Sequence, residues 1–175
     1  MNIAKFFLPI CLSGITLSAA HTEFKAERLV QAFEATVGGT PEQVFPLLCP
    51  VREYDWIPGW KCELIHSASG VVENNCIFRT NFPGEGPAIW TTSLYDPASW
   101  RVEYVRVVPG RWVVRLDIRV QEQGAGRTRV EFRNTYTGLG QKGNEAIRRD
   151  VSMHGEERFR RLMGFLETYL AKHPR

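Results

Sequence analysis

The chain has 175 residues, a hydrophobic fraction of 43% and a formal net charge of +3. That length suits one domain with a substantial core. The charges are scattered without a basic run, whereas nucleic-acid binding requires a concentrated basic surface. Composition therefore favours one globular domain and argues against a nucleic-acid partner.

Residues 1–20 differ in composition from the rest of the chain. Lys5 is their one charged side chain, and an apolar run from Phe6 to Leu17 precedes the small residues Ser18-Ala19-Ala20. The run has the length of the hydrophobic region of a secretory signal and is too short for a stable membrane span. We therefore expect a signal peptide or disordered leader over 1–20 and a domain over 21–175. Export follows from this prediction, with a cytoplasmic protein as the alternative.

Turn residues divide the domain into predicted elements, taken here in chain order. A strand over 24–37 is followed by a short helix that begins at the capping box Thr40-Pro41-Glu42-Gln43. A second short helix or turn covers 51–57. Six strands separated by Gly- and Pro-rich turns come next: 61–67, 74–82, 88–95, 100–108, 111–121 and 128–137. A long amphipathic helix over 144–171 ends the chain.

These elements predict an α+β fold, because short connections between strands produce antiparallel neighbours. The expected architecture is a curved seven-stranded antiparallel sheet around a long C-terminal helix, with two short helices after the first strand. We expect a monomer or a weak dimer.

Alternation within the strands indicates which side chains face the helix. In 111–121 the apolar residues are even-numbered and the charged residues are odd-numbered. Simple hairpin turns keep this parity and stack the inward residues in three levels. The first level is apolar: Phe78, Leu94, Val102, Leu116 and Phe132. The second is mixed: Thr80, Thr92, Tyr104, Val114 and Asn134. The third is aromatic around one cation: Phe82, Trp90, Arg106, Trp112 and Tyr136.

The C-terminal helix changes from polar to apolar residues in the same direction as the inner face of the sheet. Small and polar residues precede its apolar stripe on one face, and Gly155 leaves room between helix and sheet. We therefore predict a ligand pocket there. Its candidate ligand-binding residues are Phe78, Thr80, Phe82, Trp90, Thr92, Tyr104, Arg106, Trp112, Val114, Asn134, Tyr136, Ser152, Gly155 and Phe159.

Three stretches carry a family resemblance: Ala35-Thr36-Val37 running into Thr40–Phe45, then Tyr95-Asp96-Pro97, and the closing helix. Over about 25–172 the sequence resembles the SRPBCC superfamily of polyketide cyclases, START-like lipid-transfer proteins and birch-pollen-allergen proteins. The resemblance implies the helix-grip fold and a deep cavity, which different members use for lipids, hormones, quinones or polyketides. A few members are cyclases or aromatases, and many only bind.

Arg106 is the strongest candidate for a residue that binds a ligand, because burying an inward arginine costs free energy unless it is paired. It could anchor a ligand carboxylate, phenolate or enolate between Trp90 and Trp112. The alternative is an arginine at the rim that extends to solvent or pairs with Glu85 in the neighbouring loop.

The sequence favours binding or transport of a small hydrophobic or aromatic ligand, with an acidic group as an option. The alternative is a cyclase, aromatase or dehydratase in which Arg106 stabilises an enolate and Tyr104 or Tyr136 donates a proton. The middle level holds no ionisable pair, so we assign no catalytic residue and no cofactor. A weaker third hypothesis is protein interaction through the convex face.

Cysteine and histidine spacing does not indicate a metal site. There is no C-x-x-C pair and no His–carboxylate pair with convincing spacing, so we expect no bound metal. A symmetric hairpin about residues 68–70 would place Cys62 opposite Cys76, where an oxidising compartment could join them. The alternative is a pair of free thiols.

Overall fold

The computed structural model describes residues 23–173 and contains one seven-stranded antiparallel sheet in the order β1-β7-β6-β5-β4-β3-β2. The strands are β1 Arg28–Gly38, β2 Cys62–His66, β3 Ile77–Phe82, β4 Gly86–Asp96, β5 Arg101–Val108, β6 Trp112–Gly124 and β7 Arg127–Gly138. The predicted α+β architecture is confirmed. The leader predicted over 1–20 lies outside the described residues.

Two helical regions pack on the concave face of this sheet. The first comprises α1 (Pro41–Val44) and the 3-10 turns Phe45–Leu48 and Glu53–Asp55. The second, the C-terminal helix, comprises α2 (Gln141–Ala146), a π turn (Ile147–Val151) and α3 (Ser152–Lys172). The sequence pattern did not indicate the π turn.

Strand pairing keeps the predicted parity but changes the neighbours. Phe78 lies opposite Trp90, and Leu116 lies opposite Tyr104 and Asn134. The predicted levels are therefore wrong in register between β3 and β4, between β5 and β6, and between β6 and β7. The predicted β4–β5 neighbours Thr92–Tyr104 and Trp90–Arg106 are confirmed, and even-numbered residues of β6 face inward as expected. An offset of two or four residues preserves parity, because side chains alternate with a period of two.

Residues with positive φ fix the true turn centres. Gly84 (φ 79°), Gly110 (φ 71°) and Ala125 (φ 51°) lie midway between the paired strands. Glycine adopts this left-handed region without steric cost, which is why turns settle on such positions. The predicted levels imply turn centres one or two residues away from these positions, so the predicted strand pairs differ from the observed ones by two or four residues.

A β-bulge at Ser93 corrects the prediction for the end of β4. Thr92 pairs with Tyr104, whereas Leu94 pairs with Glu103, so the parity changes between them. Tyr95 then packs against the core, and its ring stacks on Phe45 with centroids 5.7 Å apart. Leu94 is consequently not an inward residue of the apolar level.

The concave face is covered in two halves. Phe45, Leu48 and Trp56 are buried in the core cluster, which also contains inward residues of β3 to β5. The Trp56 indole N–H donates to the Leu47 carbonyl at 2.7 Å, so the buried ring keeps its hydrogen bond. The C-terminal helix covers β1 and β7, where Phe159 stacks on Phe33 at 5.4 Å.

Asn144 fixes the start of the C-terminal helix. It is 4% exposed, its Oδ1 accepts from the Glu27 N–H at 2.9 Å, and its Nδ2 donates to the Lys25 carbonyl at 2.9 Å. Beside it, a Cβ on Gly143 would lie 1.7 Å from the Arg111 carbonyl oxygen. These contacts hold the helix against both the lead-in to β1 and the turn after β5.

The predicted placement of Cys62 opposite Cys76 is wrong, and the alternative of two free thiols is the one that the structure has. Cys62 lies opposite Thr80, and Cys76 precedes β3, because the β2–β3 connection is longer than a symmetric hairpin. Cys49, Cys62 and Cys76 are free thiols. Within residues 23–173, no helix has the length and apolar character needed to cross a membrane.

Candidate functional site

A pocket of about 180 Å³ lies between the C-terminal helix and strands β1, β6 and β7. Its apolar wall consists of Phe33, Leu116, Phe132, Val151, Phe159 and Leu162. Its other lining residues are Gln31, Asn134, Tyr136, Gly155 and Arg158. An apolar enclosure with a few convergent polar groups is the usual character of a small-molecule site.

The periodicity of each element places these residues together. In β1 the odd-numbered residues are the less exposed ones, which brings Gln31 and Phe33 to the inner face. On the helix, Val151, Gly155 and Arg158 follow helical spacing and form one stripe over the sheet.

Gln31 and Gly155 meet directly. A Cβ on Gly155 would lie 2.6 Å from both side-chain terminal atoms of Gln31. The Gln31 amide Nε2 donates to the carbonyl of Val151 at 3.2 Å, whereas its Oε1 is buried without a hydrogen-bond partner. The space that Gly155 leaves is therefore filled by Gln31, and a free acceptor lies at the pocket wall.

Three further polar groups at the pocket have no side-chain hydrogen bond to the described residues: the Asn134 amide, the Tyr136 hydroxyl and the exposed Arg158 guanidinium. Burial raises the pKa of Tyr136, although Arg106 opposes the shift, so the phenol is neutral at ordinary pH and can donate a hydrogen bond. Of the polar groups at the pocket, only Gln31 Oε1 is buried without a partner. The other three keep accessible surface, so water or a polar ligand can bond to them.

Arg106 adopts the alternative arrangement that the sequence left open, since it forms an ion pair with Glu85. Its guanidinium carbon also lies 5.1 Å from the ring centroid of Phe82 and 5.0 Å from that of Trp90. The cation over Trp112 is instead that of Arg111, at 4.4 Å. Arg106 is thus largely satisfied within the protein, and only its Nε is buried without a partner.

Several other candidate residues form a packed aromatic cluster outside the pocket. Phe78 stacks on Trp90 with centroids 5.4 Å apart and meets Tyr104 edge-on at 5.9 Å. The Trp90 indole N–H donates to Thr80 Oγ1 at 2.9 Å. The Tyr104 hydroxyl donates to the Leu48 carbonyl at 3.4 Å. Side chains from the first helical region therefore occupy the space in which the sequence placed ligand.

The remaining candidates also divide between pocket and core. Thr92, Val114 and Trp112 are buried, and Trp112 meets the pocket residue Tyr136 edge-on at 6.0 Å. Ser152 is exposed and donates to the Arg148 carbonyl one turn earlier. The structure thus brings four of the candidates to the pocket: Asn134, Tyr136, Gly155 and Phe159.

Sequence reasoning missed Gln31, Phe33 and Arg158. The alternation in 24–37 was sufficient to assign an inner face to β1, and this would have identified Gln31 as an inward polar residue. Arg158 carried no such signal, because an arginine on an amphipathic helix normally indicates a solvated face.

A second group of titratable residues lies beneath the first helical region. Burial raises the pKa of Glu53 to about 8, and burial together with the nearby Glu53 raises that of Cys49 to about 12. Tyr104 adjoins both, and burial raises its pKa well above 10. Within the described chain the Glu53 carboxyl has no side-chain hydrogen bond or ion pair, and no described pocket includes it.

A larger hollow of about 570 Å³ lies on the outer face of the sheet, lined in part by Glu34, Asp117, Arg119, Glu131 and Arg133. Several of these charges are already paired: Asp117 accepts from Arg101 at 2.9 Å, and Glu131 lies 2.8 Å from Arg129. A hollow lined by charges that are already paired is typical of a solvated surface, so the inner pocket, with its apolar wall, is the better candidate. No group of three or more potential metal ligands occurs in the described part of the chain.

Comparisons with known proteins identify the fold. No family model and no curated protein sequence matches the chain. Norcoclaurine synthase from Thalictrum flavum superposes with a TM-score of 0.64 at 15% identity, covering 86% of this chain and 90% of that one. The protein Ara h 8.0201 gives 0.61 at 14% identity, with coverages of 84% and 100%. An uncharacterised Rhizobium leguminosarum protein gives 0.62 at 14%, with coverages of 85% and 98%.

The chain has the helix-grip fold. The predicted resemblance is therefore confirmed at the level of architecture. Identities of 14–15% show the fold alone, and folds host many functions. The function must be argued from the pocket.

Proposed function

We propose that the protein binds a small, mainly apolar ligand in the pocket between its C-terminal helix and sheet. The observation that carries the proposal is a pocket with an apolar wall and a few convergent polar side chains, one of which has a buried acceptor without a partner. Filling such a pocket removes apolar surface from water and supplies partners for these groups.

The volume of the pocket limits the size of the ligand that can bind. A volume of about 180 Å³ is comparable with cavities of about 150 Å³ that admit benzene and is below the range for drug-sized ligands. One six-membered ring with small substituents fits, whereas a sterol or a long acyl chain does not. The norcoclaurine synthase structure contains two one-ring aromatics, dopamine and hydroxybenzaldehyde, which is consistent with use of this fold for ligands of that size.

Binding without catalysis is the simpler hypothesis for this pocket. Among its described lining residues there is no carboxylate, histidine or thiol to remove a proton. Tyr136 is held neutral, and the arginine at the pocket is a permanent cation. These groups orient and select a ligand, and they do not form an acid–base pair.

The proposal is tested by filling the pocket. Leu162→Trp places a large side chain into the lining, and Met153→Trp, on an exposed position of the same helix, is the matched control. Calorimetric titration with phenol is expected to show binding to the wild type and to the control but not to Leu162→Trp. Equal binding by all three proteins would place phenol elsewhere and refute the proposal.

A further inference from the structure

The polar groups of the pocket differ in chemistry and in exposure. Gln31 Oε1 is a buried, unpaired acceptor, and its own Nε2 is occupied by the Val151 carbonyl. Arg158 is exposed and forms no ion pair with a described residue. Gln31 Oε1 has almost no accessible surface in this conformation, so a small rotation of the amide is needed before one end of a ligand can reach it. Another end of the ligand would meet the Arg158 cation at the pocket edge.

Gln31 and Arg158 favour different chemical groups on a ligand. A buried acceptor without a partner costs about 1–3 kcal/mol, and only a donor such as a hydroxyl removes that cost. Arg158 lies beside Asp150 and Glu157 on the helix surface but forms no ion pair with either. Its guanidinium is therefore free to bind a ligand carboxylate with two parallel hydrogen bonds. Arg106 cannot serve this purpose as it stands, because Glu85 already neutralises it.

Resting on the proposed function, we infer that the pocket selects a one-ring hydroxy acid, with the ligand hydroxyl donating to Gln31 and the carboxylate bound by Arg158. The ring lies between Phe33, Leu116 and Phe159, and the Asn134 amide and Tyr136 hydroxyl supply secondary contacts. Selectivity then has two independent parts, one for the hydroxyl and one for the charge.

The experiment is a set of calorimetric titrations with 4-hydroxybenzoate, its methyl ester, benzoate and phenol. The wild type is expected to bind 4-hydroxybenzoate most tightly, because each other probe lacks one of the two groups. Arg158→Met is expected to weaken binding of the acids by about twofold to fivefold and to leave the ester unchanged, since exposed charge pairs contribute modestly. Arg161→Met, one turn away and outside this pocket, is the matched control and is expected to change nothing.

The hydroxyl is tested separately. Gln31→Met keeps the length of the side chain and removes the acceptor, so 4-hydroxybenzoate is expected to lose affinity by about tenfold while benzoate does not. Equal losses for acid and ester in Arg158→Met, or for hydroxylated and plain benzoate in Gln31→Met, would overturn the corresponding half of the inference.

The probes distinguish failure of this inference from failure of the proposed function. A wild type that binds phenol in the pocket with no preference for the acid refutes the inference alone. A wild type that binds none of the four probes refutes both.

Discussion

Glu53 provides the sharpest test of the packing beneath the first helical region. Its carboxyl lies among Cys49, Cys62 and Tyr104 without an ion pair in the described chain, and burial raises its pKa from 4.5 to about 8. A full shift of that size would correspond to about 4–5 kcal/mol at 1.4 kcal/mol per pH unit. Because the residue keeps some exposed surface, we expect about 1–3 kcal/mol.

The sign follows from proton binding. The folded protein keeps the Glu53 proton up to about pH 8, whereas the unfolded chain releases it near pH 4.5. Between these values the folded state binds more protons, so its stability falls as pH rises and then stays level above about 8. The neighbouring Cys49, Cys62 and Tyr104 have raised pKa values and remain neutral across this window.

Glu53→Gln removes the titration while keeping the shape of the side chain. Urea denaturation is expected to show little gain in unfolding free energy at pH 5 and a gain of about 1–3 kcal/mol at pH 9. Glu63→Gln is the matched control, because that carboxylate is exposed and pairs with Arg79. The same gain for Glu53→Gln at both pH values would show that its carboxyl is not desolvated, and the reasoning would fail.

Two predictions concern residues of the C-terminal helix. Gly143→Ala is expected to lower the free energy of unfolding by at least about 2–3 kcal/mol in chemical denaturation, because its Cβ would lie 1.7 Å from the Arg111 backbone. Gly155→Ala is expected to lower it by less than about 1 kcal/mol, because its Cβ meets only the movable end of Gln31. Equal costs at the two glycines would contradict this contrast. Asn144→Ala leaves the Glu27 N–H and the Lys25 carbonyl without their partner and is expected to cost roughly 2–3 kcal/mol by the same measurement. A cost below about 0.5 kcal/mol would mean that water replaces both bonds.

The sheet was predictable from sequence because its signals are local. Turn residues and alternation gave the strands and the inward parity, and parity survives any register error of two or four residues. The levels were not predictable, because neighbouring residues of one turn, such as Gly84 and Gly86, both adopt positive φ. The sequence does not show which of them is the turn centre, and the register depends on that choice. The bulge at Ser93 changed even the parity, and no residue pattern in β4 marks it.

The site was less predictable, because it depends on what fills the concave face. Phe78, Trp90 and Tyr104 do face inward, but they pack on one another and on side chains of the first helical region. Strand alternation indicates which face of the sheet a side chain points to, but it does not indicate whether a ligand or another part of the protein fills the space there. For Arg106 the sequence named Glu85 as a possible partner but could not decide between Glu85 and a ligand, because the position of that loop follows from the β3–β4 register.

The π turn in the C-terminal helix contacts a polar side chain of the pocket. Such turns interrupt regular helical bonding and occur frequently at functional sites. Here the turn ends at Val151, whose carbonyl accepts from Gln31 Nε2, and Gly155 one helical turn later leaves space for that side chain. While the Gln31 amide nitrogen donates to Val151, only the amide oxygen is left for a ligand, and a small rotation would expose it. A sheet residue, a helix irregularity and a glycine together thus orient this amide, and the proposed ligand would have to meet it with a donor.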